Sequence, residues 1–534
     1  LSFSSKHIFM QFFFSVFFLF SLIPPAAAQT VAGSTALPEA CPPASTTNTT
    51  STLFLLEKAG KYGYINNQGE VILPLTYDAL SLPDAKGYII VKEKGNYGIF
   101  DQTGRQILPP TFKDLKIAAD GNIYASQGKL QGVFNTAGQP LLPMEFESCQ
   151  PCTEGLILAK KDKLWHYYDS ISGKIAIEQG FDEAAPFVEG LARVKCGDKY
   201  GYINQQGKIV IPCQYKDAVD FSEGLAAVTT KDRWGFIDPT GKMIIPETFS
   251  GYESGFREGL AIVHGASAHD YIDKKGNLAF SAPYEIVYPF KDGLAEINVE
   301  KVSFSWSGLI SSALSSALNV YIPDEDRNLI ASNMKRGFVD KTGKQLIPTT
   351  YDFVSSFQNG LSKVILHDKA GFVDHQGNFV IPTDYQELSF FQEGFAAAKK
   401  DGKWSFIDKN NQPLTAFTFD QAADFKDNLA AVKTSTGWGF INLMGDLVIK
   451  PKYDSVSAFS DGIAIVKFKG ATGAINRDGH YVLPAKMEYQ SIESFQNGLG
   501  TIKLQNKWGL IKTDGTLFLP AVYDSIRSIS LPVN

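Results

Sequence analysis

Cysteine, histidine and a recurrent Asp or Asn are the residues of this 534-residue chain whose types could do chemistry. The cysteines are Cys41, Cys149, Cys152, Cys196 and Cys213, an odd number that leaves at least one unpaired in an oxidising compartment. Cys149 and Cys152 have the C-x-x-C spacing of thiol–disulfide exchange, but the strand–turn–helix setting that lowers such a thiol's pKa is missing. A structural disulfide is therefore the expectation, with Cys196 and Cys213 as a second pair. The histidines, His7, His166, His264, His269, His367, His375 and His480, show no short metal-ligand spacing. His264 and His269 are the closest pair and are expected to be ordinary surface or half-buried residues, with no metal bound. The recurrent Asp supplies one carboxylate per turn, whereas calcium takes about six to eight oxygen ligands, so these side chains should cap turns. Glu253 and Glu258 are carboxylates without distinguishing context, and no nucleophile elbow, P-loop or dinucleotide fingerprint occurs. No cofactor and no catalytic residue is expected.

Composition narrows the class further. Lys and Arg number 50 against 56 Asp and Glu, a net charge of −6, with 44% hydrophobic and 13% aromatic residues. That is neither a disordered chain nor one with the clustered cations that phosphate backbones require, so nucleic acid is excluded as a partner. Ile8 to Ile23 form an apolar run preceded by Lys6 and His7 and followed by Ala26, Ala27 and Ala28. The pattern predicts a secretory signal over 1–28, cleaved after Ala28, although Leu1 stands where Met is expected. Residues 29–52 are Pro, Ala, Ser and Thr with almost no large apolar side chain and predict a flexible linker. The mature chain has no second apolar run long enough to cross a membrane as a helix.

What must position any site is a repeat of about 34 residues, found by sliding the sequence against itself. Thirteen copies are anchored on a position that is Gly in ten of them, including Gly235, Gly439 and Gly509, with His166, Asp270 and Ser405 in the other three. An aromatic precedes the anchor in eight copies; Trp165, Trp234, Trp404, Trp438 and Trp508 all stand there. Three residues after the anchor comes Asp or Asn, and three later Gly, as in Asp238 and Gly241, which predicts a hairpin turn closed by a left-handed residue. Asn411 replaces that Gly once. A short apolar strand then runs into a Pro, such as Pro246, expected at a strand end or an unpaired edge. Phe-x-x-Gly-Leu-Ala, as in Phe221 to Ala226, closes each copy before a further short strand.

Each unit is therefore expected to be a three-stranded antiparallel meander that cannot close its own core and is stabilised by stacking on its neighbours. By strand alternation Trp234 and Phe236 share one face and Gly235 and Ile237 the other. A side-chain-free position repeated on one face suggests close approach of a neighbouring unit. A buried Trp234 would make Trp234→Ala cost about 3 to 5 kcal/mol.

These tracts, among them Arg233 to Lys242 with Ile245, Pro246 and Phe221 to Ala226, resemble the WG-repeat family over residues 53–529. The resemblance implies β-rich arrays, often exported, with no catalytic residues to carry over. The copies anchored at His166, Asp270 and Ser405 depart from the motif and are expected to be distorted.

One interval breaks the period. The gap from Asp270 to Gly337 is 67 residues, so 53–298 should hold seven repeats, 299–334 an insertion, 335–529 six repeats and 530–534 a tail. Within the insertion Trp306, Ile310, Leu314 and Leu318 recur at i+4, the mark of an amphipathic helix. These four are the candidate partner-binding residues; the core candidates are the five tryptophans with Gly235, Gly439 and Gly509. The expected fold is all-β, an open curved solenoid, with two β-propellers of seven and six blades as the alternative. The expected function is an exported, non-catalytic binding or scaffold protein of the envelope or exterior with a protein or glycan partner. A structural spacer and a hydrolase on a β-array are the alternatives.

Overall fold

The expected hairpin turns form around their Asp or Asn. Asp238 Oδ1 accepts the backbone N–H groups of Thr240 and Lys242 at 2.9 and 3.0 Å, and Gly241 closes the turn at φ +83°. Asn411 takes the same left-handed conformation, φ 61°, where it replaces Gly. A computed structural model describes residues 52–265, 269–300 and 334–530. The expected signal, the linker before Thr52, Cys41 and the candidates Trp306, Ile310, Leu314 and Leu318 lie outside the described residues.

The described residues form thirteen small antiparallel sheets, eleven of four strands and two of three. A representative sheet runs Ala79–Leu80, Tyr88–Glu93, Asn96–Asp101, Gln106–Phe112 in chain order. The three-stranded meander is thus present in each unit, and in most a short leading strand is added to it. Such a strand is often two residues long and leaves no periodicity to read. Where a sheet has three strands, isolated bridges stand in for the fourth, Ala184 to Val194 in one and Trp404 to Phe419 in the other.

The anchor glycine answers to its own sheet and not, as expected, to a neighbouring unit. Trp438 pairs with Tyr453 but Phe440 with Ile449, so three residues, Lys450 to Lys452, oppose Gly439 alone. A Cβ on Gly439 would lie 2.4 Å from the Ile449 carbonyl oxygen and 2.7 Å from the Pro451 nitrogen. The Pro therefore marks an irregularity inside an edge strand, where its missing N–H costs no ladder bond. Contact with the neighbouring unit falls on the turn glycine: a Cβ on Gly104 would meet the Ile72 carbonyl oxygen of the preceding sheet at 2.4 Å.

The core is divided among the interfaces between successive sheets. The residue after the anchor is the buried one: Tyr64, Tyr202, Phe236, Tyr271 and Phe440 are at most 1% exposed. It meets the Phe of the next Phe-x-x-Gly tract edge to face, as in Tyr202 with Phe221 at 5.0 Å, Phe236 with Phe256 at 5.2 Å and Phe440 with Phe459 at 4.7 Å. Where it is Tyr, its hydroxyl donates onward to a backbone carbonyl, from Tyr202 to Val219 at 2.6 Å and from Tyr271 to Tyr288 at 2.7 Å. Burial pushes these phenols upward in pKa, which suits a donor that never ionises.

The ends of the array meet. Ser525–Ser530 pairs antiparallel with Thr52–Lys58 and takes the leading position in the first sheet. Asp524 N–H donates to the Glu57 carbonyl at 2.8 Å, as Lys216 N–H does to Thr229 in an interior unit. A Cβ on Gly69, the first turn glycine, would touch Phe518 of the last unit at 3.1 Å. The repeat array is therefore closed into one ring, where an open curve was preferred from sequence. The two-propeller alternative fails for the same reason and for a second. Ala295–Glu300 and Met334–Val339 pair with each other, so the segment between them is a connection inside one sheet and no divider.

Candidate binding surface

The five tryptophans divide between the core and its margin. Trp404 and Trp438 are buried, whereas Trp165, Trp234 and Trp508 are half-buried. Each pairs across strands with an aromatic, as Trp508 does with Tyr523. A lysine from the preceding strand covers the ring in several copies, Lys160 over Trp165 at 5.8 Å and Lys503 over Trp508 at 5.5 Å. A partly wet indole describes Trp165, Trp234 and Trp508, with cation–π contact at Trp165 and Trp508, whereas Trp404 and Trp438 belong to closed hydrophobic clusters. Gly235 and Gly509 repeat the close approach of Gly439: a Cβ on each would lie 2.5 and 2.6 Å from the carbonyl oxygens of Ile245 and Leu519.

The chemistry-bearing residues are scattered round the ring. Cys196 and Cys213 are disulfide-bonded, tying the first and last strands of a three-stranded sheet. Cys149 and Cys152 lie on one strand, Ser148–Thr153, as free thiols, and burial pushes Cys149 up to about 12. A thiol so protonated is a poor nucleophile, so Cys149 is not itself activated for exchange chemistry. The turn aspartates are occupied with backbone N–H groups, and Asp238 is held below the usual carboxylate range first by the Thr240 hydroxyl. The two glutamates without sequence context part company. Glu253 Oε1 lies 2.7 Å from His264 Nε2 and its Oε2 3.0 Å from His269 Nδ1.

Glu258 belongs to a device that sequence reading missed. In the Phe-x-x-Gly tract the residue before Gly takes a left-handed conformation, φ 51° at Glu223, and its carboxylate reaches the corresponding turn of the next unit. Glu189 accepts from Glu223 N and Gly224 N at 2.7 and 2.8 Å, and Glu223 from Glu258 N and Gly259 N at 2.6 and 2.9 Å. Glu258 continues to Gly293, Glu393 to Asn428 and Asp461 to Asn497. Each carboxylate thus satisfies backbone donors that a left-handed turn leaves pointing outward. Burial alone would raise the Glu223 carboxyl, but the Lys274 ammonium and the two N–H groups bring it below its ordinary value. The signal was the recurrent Glu/Asp/Asn before Gly, which reads as ordinary turn composition until the next turn is seen beside it.

A second periodic feature faces solvent. The first residue of the last strand is a large apolar side chain exposed by 38% or more in nine units: Val71, Ile175, Ile209, Met243, Leu278, Phe379, Leu447, Tyr481 and Leu517. These strands are sheet edges, and Pro74, Pro212, Pro246, Pro382, Pro484 and Pro520 stand three residues further on in six of them. An edge carrying Pro and a bulge resists addition of a further strand. What the row offers a partner is side-chain surface, one apolar group per unit. Among the described residues no helix is long and apolar enough to cross a membrane.

The profile of the WG containing repeat matches twelve segments between residues 62 and 530, including 200–234, 234–263 and 404–435. The chain belongs to that family. No curated protein matches the sequence. Among solved structures, the extracellular domain of a hybrid two component system protein from B. thetaiotaomicron is 11% identical, with 82% of this chain and 70% of that one covered and a TM-score of 0.26. A eukaryotic initiation factor is also 11% identical, with 68% and 95% covered and a TM-score of 0.32. PorZ, a surface component of the type-IX secretion system of Porphyromonas gingivalis, is 10% identical, with 87% and 80% covered and a TM-score of 0.22. Likenesses this distant carry no inference about function.

Proposed function

We propose that the protein is a non-catalytic binding or scaffold protein, exported to the cell envelope or beyond, whose repeat ring presents the nine-membered apolar row to a protein partner. The observation that carries this is the row itself. Isolated exposed apolar residues need no explanation, but the same exposed position in nine units does. Seven of the nine side chains are aliphatic or Met and only Phe379 and Tyr481 are aromatic, which favours a protein surface over a stacked sugar. The reading as a hydrolase has little to stand on, since the turn carboxylates are taken up by backbone N–H groups and Cys149 is held protonated.

The test is a pull-down from the source organism's envelope fraction with three proteins: the unaltered chain, a version lacking 301–333, and one carrying Val71→Lys, Phe379→Lys and Leu447→Lys. Loss of a captured protein in the triple variant, with capture retained by the deletion, supports the row. Loss on deletion alone moves the docking element to Trp306, Ile310, Leu314 and Leu318. Capture of nothing by any of them supports a structural spacer.

A further inference from the structure

We propose that Glu253, His264 and His269 form a binding site for one divalent transition cation of the zinc class. His264 and His269 end adjacent strands, Leu260–His264 and His269–Asp273, and are direct cross-strand partners. Glu253 comes from the neighbouring strand, Gly251–Arg257. Tyr252 pairs with Val263 and Ser254 with Ile262, so Glu253 is the residue left over at a β-bulge. Bulges re-aim side chains, and this one sets a carboxylate against both imidazoles.

The geometry is close to that of a bound ion. Nε2 of His264, Nδ1 of His269 and a Glu253 carboxylate oxygen all lie within 4.8 Å of one another. Zinc bonds of about 2.0 to 2.2 Å in tetrahedral array place ligand atoms about 3.3 to 3.5 Å apart, so the two N···O contacts of 2.7 and 3.0 Å need to open only slightly. The carboxylate sets one oxygen within hydrogen-bond distance of a ring nitrogen of each histidine, which holds both rings turned toward it. Two imidazoles and one carboxylate select the zinc class over calcium or magnesium, which prefer all-oxygen sets. Three protein ligands leave one position to water or a donor from a partner.

The unit also departs from its siblings at the residues concerned. In six other units the equivalent cross-strand pair is Lys with an aromatic, as in Lys433 and Trp438 or Lys503 and Trp508. Here both members are His, and the anchor that follows is Asp270 instead of Gly. Ordinary packing explains a Lys over a Trp; it offers no reason for two histidines with a glutamate bulged between them. The glutamate and one histidine are exposed and the other is half-buried, so an ion can reach the site from solvent.

The experiment titrates zinc(II) into the tag-free full chain by calorimetry and records the visible spectrum with cobalt(II), using wild type, His264→Gln, His269→Gln and Glu253→Gln. Far-ultraviolet circular dichroism of each variant checks that the sheets are intact. The expected result is one zinc per chain at micromolar affinity or tighter, weakened by about tenfold or more in each histidine variant. Cobalt should give a four-coordinate visible band without thiolate charge transfer, which separates this site from Cys149 and Cys152. No zinc uptake, affinity unchanged in both folded histidine variants, or a thiolate band would each overturn the proposal.

Discussion

Phe236→Ala should damage the protein far more than Trp234→Ala, although the tryptophan carries the repeat's signature. Phe236 is 1% exposed and meets Phe256 edge to face at 5.2 Å and Tyr252 at 6.2 Å. Truncating a buried Phe costs about 3 to 5 kcal/mol through lost transfer energy and the cavity left behind. Trp234 is half-buried and stacks on Tyr252 at 5.6 Å. Losing roughly 100 Å² of buried apolar area at about 25 cal/mol per Å² costs about 2.5 kcal/mol at most, below the cost expected had the indole been enclosed. Units in an array feel chiefly their neighbours, so the effect should be local. Hydrogen exchange followed by mass spectrometry is the suitable assay, read over 226–237 and 256–264. At about 1.4 kcal/mol per tenfold, Phe236→Ala should speed exchange there roughly 100- to 4,000-fold and Trp234→Ala at most roughly 60-fold. Equal acceleration in the two variants, or a larger effect from the tryptophan, would refute the assignment of the core to the residue after the anchor.

Gly439→Ala should lower stability by about 1 to 3 kcal/mol through its clash with the strand crossing at Ile449 to Pro451, read as a shift in the denaturation midpoint. Glu223 makes a pH prediction. Its carboxyl titrates below its unfolded value, so its contribution is present above about pH 4.3 and is lost as pH falls through the folded pKa. Glu223→Gln should therefore reduce stability at neutral pH and flatten the acid limb of the stability profile; an acid limb identical to wild type would count against the latch. Removing 525–530 deletes the strand paired with Thr52–Lys58, and the amides of the first and last units should lose protection while those near the eighth keep it. Uniform loss of protection round the chain would mean that closure stabilises every unit equally.

Much of the array was legible in one dimension because its determinants are local. An Asp whose oxygen caps two N–H groups and a Gly at positive φ make a turn wherever they stand three residues apart, and Asp238 with Gly241 does so as expected. The division between buried and exposed aromatics was less legible. Alternation puts Trp234 and Phe236 on one face, but only the position of the next unit's Phe256 decides which of them is enclosed. Spacing singled out His264 and His269 as the closest histidine pair but gave no link to Glu253, because a bulge in one strand and a cross-strand pair in the next are register facts that spacing does not encode.

By itself the sequence determined the class: a β-repeat of about 34 residues, thirteen times over, with the turn, the edge proline and the apolar strand of each copy. Those follow from backbone preferences and side-chain alternation within a few residues of one another. Closure into a ring was decided only in three dimensions. The angle between successive sheets is set by how Phe-x-x-Gly aromatics, turn glycines and turn carboxylates meet across each interface, and a small rotation per unit accumulates over thirteen. Whether that sum returns residue 530 to residue 52 is a property of the whole chain that no single repeat contains.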